Sequence, residues 1–155
     1  AEALLAFGCN PLEQLGGGVT QQQLGSLGLL FAADTHSNGF TEMARLVVPL
    51  RGPFESEGSY TNEAGRVQAL RPVVPAPEGC RAGWQVVAAL AEGLGAEGFE
   101  YGSVFQVSEE LAGSVGAFAG LTLGELPELG QTLSSGAGQK TGESDAGLDA
   151  GSTDE

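Results

Sequence analysis

Ala3-Leu4-Leu5-Ala6-Phe7 is a short apolar run stopped by Gly8, the pattern of a parallel strand buried on both faces. Gly8-Cys9-Asn10-Pro11 breaks it, because glycine and an Asn-Pro step both favour turns. Gly16-Gly17-Gly18 reads as a flexible joint. Thr20 and Gln23 have capping-box spacing, which predicts a short helix through Leu24 that ends at Gly25 or Gly28. Leu29 to Ala33 reads as a second buried strand ending at Asp34. Thr41 to Ala44 reads as one helical turn, and Leu46-Val47-Val48 as a third strand closed by Pro49. Strand, helix, strand, turn, strand is the rhythm of an α/β fold with a parallel sheet. A doubly wound domain normally has more strands, so residues 1–50 are expected to be a partial sheet unit in the C-terminal fragment of a longer chain.

Residues 51–81 read as loop and extended chain, since Pro72, Pro75 and Pro77 oppose a central strand or a helix. Residues 82–130 read as a helical segment. Trp84, Val87, Ala88, Ala91 and Leu94 recur at helical spacing from Ala82 to Leu94, with Trp84 as the expected core anchor and Gly95 at a C-terminal cap. Ser108, followed by Glu109 and Glu110, predicts a second helix start. Residues 131–155 are almost all Gly, Ser, Thr, Ala or acidic, too poor in apolar side chains to offset ordering entropy, and are expected to be a disordered acidic tail.

Charge narrows the function classes. The 155 residues carry a formal net charge of -14. Residues 45–81 hold all five arginines, and Lys140 is the lone lysine. A nucleic-acid binder needs a basic face to neutralise phosphates, so none is expected as partner. No apolar run approaches the ~20 residues of a membrane helix, so no direct membrane insertion is expected. Cys9 and Cys80 form no Cys-x-x-Cys pair, and with His36 as the single histidine no metal site is expected.

Several smaller groups tempt a chemical reading. His36 lies beside Asp34, Thr35 and Ser37, but no Gly-x-Ser-x-Gly elbow is present, and it reads as a surface-loop histidine. Gly16 to Gly18 lacks the G-x-G-x-x-G spacing of a phosphate cradle. Glu55 and Glu57 read as solvated loop acids. No catalytic residue is identified.

The informative stretch is Glu57-Gly58-Ser59-Tyr60-Thr61-Asn62-Glu63-Ala64-Gly65-Arg66-Val67-Gln68. It resembles the E-x-G-[ST]-[FY]-x-N-x-x-G-R-x-Q signature of the molybdopterin oxidoreductase family. Around it, Val47-Val48-Pro49, the Pro-rich step and the Trp84 helix follow the family's order, and Gly8-Cys9-Asn10-Pro11 is similar to its strand–G-x-N-P loop. The resemblance covers about residues 3–112. It implies a partial Rossmann-like parallel sheet and makes Asn10, Gly58, Asn62, Gly65, Arg66 and Gln68 a structural or vestigial cofactor loop. Physically, Gly58 and Gly65 permit positive φ, Asn62 can close a turn, and Gln68 can bond backbone through its amide. Arg66 is expected to pair with Glu57 or Glu63.

Within the family the wording is most similar to the large iron–sulfur subunit of respiratory NADH–quinone oxidoreductase (complex I). That resemblance implies a structural part of a complex that passes electrons from NADH to quinone. It also implies iron–sulfur clusters elsewhere in the full-length subunit, other peripheral-arm subunits as partners, and a cytoplasmic location on the inner side of the membrane. Arg45 stands where the family's A-D-V-V-L-P pattern has an acid, so no pterin is expected. The alternatives are a fragment of a catalytic molybdopterin enzyme of the formate dehydrogenase or nitrate reductase type, and a free-standing acidic interaction domain.

Overall fold

The computed structural model describes residues 2–16 and 18–133. Strands β1 (Ala3–Phe7), β2 (Leu29–Asp34) and β3 (Leu46–Pro49) form a parallel sheet in that spatial order. Helices α1 (Pro11–Gln14), α2 (Gln21–Gly25) and α3 (Gly39–Met43) belong to the connections between them. One face of the sheet buries Ala6, Leu30 and Ala32 with Leu24 of α2 and Phe40 of α3. Phe40 is fully buried, which removes enough apolar surface to contribute roughly 2–3 kcal/mol.

Helix starts follow local chemistry. Thr20 Oγ1 accepts from the Gln23 N–H at 3.2 Å while Gln23 Oε1 accepts from the Thr20 N–H at 2.8 Å, the reciprocal box read from the sequence. Pro11 opens α1 at the position where a missing N–H costs nothing, with Asn10 as its cap. Gly16 adopts φ +59 in the turn after α1; Gly17 lies outside the described residues.

The other sheet face is covered by α4 (Gly83–Gly93). Val86 and Leu90 pack there against Phe31, Ala33, Val48 and Leu50. A parallel bridge between Leu50 and Arg81 sets the start of this helix against the end of β3. The bridge also fixes the helix rotation, and it corrects the expected apolar stripe: Val87 and Leu94 are 46% and 85% exposed. Trp84 is half-buried and belongs to neither buried cluster. The helix ends as read: Gly95 has φ +80, its N–H bonds Glu92 O, and the Ala96 N–H bonds Ala91 O.

Residues 58–70, expected as loop and extended chain, form an antiparallel hairpin of β4 (Gly58–Thr61) and β5 (Arg66–Leu70). Gln131 and Thr132, assigned by the sequence to the disordered tail, pair with Val67 and Arg66 as β6 (Gln131–Thr132). Residues 134–155 lie outside the described residues. Helix α5 (Val104–Ser114) starts after Ser103 rather than at Ser108. Ser108 sits inside the helix, where its Oγ accepts from the Leu123 N–H at 2.6 Å and ties the following segment back onto α5. Among the described residues, no helix is long and apolar enough to cross a membrane.

Candidate functional site

The parallel strands deliver three loops to one end of the sheet, the place where open α/β sheets bind ligands. After β1, the Gly8 N–H donates to Ala33 O at 2.8 Å and turns the chain toward β2. Asn10, 8% exposed, follows, and its Oδ1 accepts from the Leu12 N–H at 3.2 Å.

After β2 comes a hydrogen-bonded unit. Asp34 accepts from the Thr35 N–H at 2.7 Å and from Asn38 Nδ2 at 2.9 Å. Asn38 Oδ1 in turn accepts from the N–H groups of Phe40 and Thr41 at 3.0 and 3.1 Å. The Thr41 hydroxyl donates to Asn38 O at 2.8 Å. A carboxylate, an amide and a hydroxyl thereby fix the entry to α3. Asp34 and Thr41 line a cleft of about 310 Å³ together with Thr35, His36, Ser37, Glu42, Val47 and Pro49. His36 is exposed on its wall, with Nδ1 2.8 Å from Thr35 Oγ1. Sequence reasoning put Asp34 at the end of a strand and Thr41 at the start of a helical turn, and passed over Asn38; the available signal was Asn38 three residues before Thr41, which is capping spacing.

The signature residues lie apart from Asn10, on the hairpin of the second sheet. The Asn62 N–H donates to Arg66 O, the Gly65 N–H to Asn62 O, and the Arg66 N–H to Asn62 Oδ1, at 3.0, 2.9 and 3.0 Å. Gly65 takes φ +71, the left-handed residue that lets so tight a connection return into strand. Gly58 is buried, and a Cβ there would meet Val104 of α5 at 3.7 Å. Gln68 is exposed on β5.

Arg66 takes neither Glu57 nor Glu63 as its partner. Its Nη1 donates to the carbonyl oxygens of Leu129 and Gly130 at 3.2 and 3.3 Å. Gly130, at φ +74, lies so close to β5 that an added Cβ would collide with Val67 O. The Leu133 N–H completes the strap by bonding Gly65 O at 2.8 Å. Glu55, read as a solvated acid, caps its own loop through the Gly52 N–H at 2.9 Å. Glu57 and Arg71 stand at the edge of a second cavity, of about 400 Å³, beside Phe105, Leu123 and Leu126.

Cys9 and Cys80 are free thiols. Among the described residues, no group of three or more His, Cys, Asp or Glu side chains is placed to hold a metal ion.

The sequence pattern of the molybdopterin oxidoreductase family matches residues 4–93, which span the parallel sheet, the signature hairpin and α4. The chain belongs to the molybdopterin oxidoreductase family. Its relatives in that family include the F420-dependent formate dehydrogenase 2 subunit alpha of Methanococcus maripaludis, 30% identical over 68% of this chain and 16% of the relative. The assimilatory nitrate reductase catalytic subunit of Bacillus subtilis is 27% identical over 72% of this chain and 16% of its own length. The mitochondrial NADH-ubiquinone oxidoreductase 78 kDa subunit of Neurospora crassa is 29% identical over 62% and 13% respectively. The chain thus spans about a sixth or less of the length of the curated relatives it matches.

Proposed function

We propose that the chain is a structural portion of the large iron–sulfur subunit of a respiratory NADH–quinone oxidoreductase. The observation that carries this reading is the internal use of the signature. Asn62 Oδ1 is taken by the Arg66 N–H, and Arg66 Nη1 by the carbonyls of Leu129 and Gly130. The hairpin's strongest polar groups are engaged in holding the fold.

The charge of the strand-end cleft supports the same reading. A pterin dinucleotide carries a diphosphate, which calls for cationic or N–H donors. Among the described residues, the charged side chains lining the cleft are Asp34 and Glu42, with no Lys or Arg. These residues do not fit a diphosphate. Arg45, which replaces the acid of the family pattern, is exposed before β3 and does not line this cleft. In this reading the segment holds no pterin, electrons pass through iron–sulfur clusters elsewhere in the polypeptide, and the partners are other peripheral-arm subunits on the cytoplasmic side of the membrane.

A second reading, part of a catalytic molybdopterin enzyme, draws on the 30% identity to the formate dehydrogenase subunit. Affinity purification of the full-length polypeptide from its native cells separates the two. The structural reading expects an NADH-oxidising flavoprotein and NADH-dependent quinone reduction in the purified complex. Formate oxidation or nitrate reduction without that flavoprotein overturns it.

A further inference from the structure

The cavity of about 400 Å³ beside the signature hairpin is built from three elements distant in sequence. The hairpin region supplies Glu57 and Arg71, α5 supplies Phe105, and the segment tied to Ser108 supplies Leu123, Gly124 and Leu126. A volume of this order suits a small molecule. Leu123 is buried at 9% exposure, whereas the Phe105 ring remains 41% exposed. One apolar wall is therefore sealed into the fold and the other is open to a ligand.

Strand register places the charges. Gly58 pairs with Leu70 at the end of the antiparallel ladder, and one further step sets Glu57 opposite Arg71. Directly opposed residues hold their Cβ atoms about 4.5–5.5 Å apart on one face. A carboxylate and a guanidinium thus stand side by side, and the rest of the lining is apolar side chains and a glycine. A ligand that satisfies this wall needs an anionic acceptor for the guanidinium, a cationic donor for the carboxylate and a hydrocarbon body. An α-amino acid with an aliphatic or aromatic side chain has all three, with both charged groups on a single carbon. We propose that the cavity binds a free apolar α-amino acid. Arg71 takes its carboxylate, Glu57 its ammonium, and Phe105, Leu123 and Leu126 its side chain. The site shares no residue with the strand-end cleft, and the inference holds whichever oxidoreductase the chain serves.

The test is equilibrium dialysis of the full-length polypeptide against L-leucine and L-phenylalanine. Isocaproate and isoamylamine serve as analogues that keep the leucine hydrocarbon and one charge each. At least one of the amino acids should bind saturably, and for L-leucine each analogue should bind at least about 10-fold more weakly, because a hydrogen bond to a charged group is lost. Gly124→Phe fills the cavity from a position of ordinary φ with open space around its Cβ, and should weaken amino-acid binding at least about 10-fold. Arg71→Gln, at an exposed residue, should weaken it by a similar factor. Circular dichroism reports whether each variant keeps its fold, and Arg71→Gln decides the matter should Gly124→Phe fail to fold. The absence of saturable binding by either amino acid overturns the proposal. So does L-leucine binding no tighter than that of its analogues, or binding that survives the substitutions in folded protein.

Discussion

Arg66 and Gly130, 64 positions apart in the chain, meet at the edge of the signature hairpin: Nη1 of the arginine donates to the glycine carbonyl at 3.3 Å. The same nitrogen reaches Leu129 O, so one guanidinium secures a strap that β6 and the Leu133 N–H continue along β5. A signature that reads locally as a turn is, in three dimensions, a latch for a distant segment.

Removing the latch should loosen the strap and leave the parallel sheet intact. Arg66 is exposed, so Arg66→Ala is expected to cost only about 0.5–1.5 kcal/mol. Hydrogen exchange should show the Leu133 and Gln131 amides exchanging faster, with Phe31 and Ala33 unchanged. Equal acceleration at all four would mean that the strap is not a separate unit.

Gly130→Ala should be more damaging. The new methyl would collide with the Val67 carbonyl, and the backbone at φ +74 resists any L side chain. The expected loss is about 1–3 kcal/mol in urea denaturation, with the strap released. Stability within error of the parent would show that the close approach to β5 is absent in solution.

The helix termini supply a paired test. Gly95→Ala, at φ +80, should destabilise by about 1 kcal/mol, whereas Gly83→Ala, at an ordinary helical φ and with open space around its Cβ, should be neutral or stabilise by up to about 1 kcal/mol. Asn38→Ala should cost about 1–2 kcal/mol, because it frees two backbone N–H groups and the Asp34 carboxylate together. Thermal melts of the three variants check the ordering.

Tyr101 gives a pH-dependent signal. Its hydroxyl donates to Glu110 at 2.6 Å, and that hydrogen bond, aided by partial desolvation and the charges of Glu110 and Glu100, raises its pKa above the ordinary 10.0. The folded state therefore holds this proton more tightly than the unfolded chain. The associated stability is fully present below pH 10.0 and is lost as pH rises through the folded value. In a Tyr60→Phe background, tyrosinate absorbance should titrate above the ordinary value, and Glu110→Gln should lower the midpoint. An unmoved midpoint would remove the Tyr101–Glu110 bond from the account.

What the sequence made legible was local. The Thr20 and Gln23 box, the Gly95 cap and the Asn62–Gly65 turn each depend on residues within a few positions, and each stands where the spacing puts it. The rotation of α4 depends on the bridge from Arg81 to Leu50, and the partner of Arg66 on a segment beyond Leu126; neither is encoded in the periodicity around those residues. The glutamates that follow Ser108 favoured a helix start there. The chain instead begins α5 after Ser103 and uses the Ser108 hydroxyl to hold Leu123. At the strand ends, Asn38 and Thr41 were spaced for capping, while attention went to the nearby His36, which invited a catalytic reading and only lines the cleft wall.

The most direct test of the central claim is elemental analysis of the full-length polypeptide purified from its native cells. The proposed reading, a signature hairpin engaged within the fold of an iron–sulfur electron-transfer subunit, predicts iron in the preparation and no stoichiometric molybdenum or tungsten. One atom of either metal per polypeptide would contradict it.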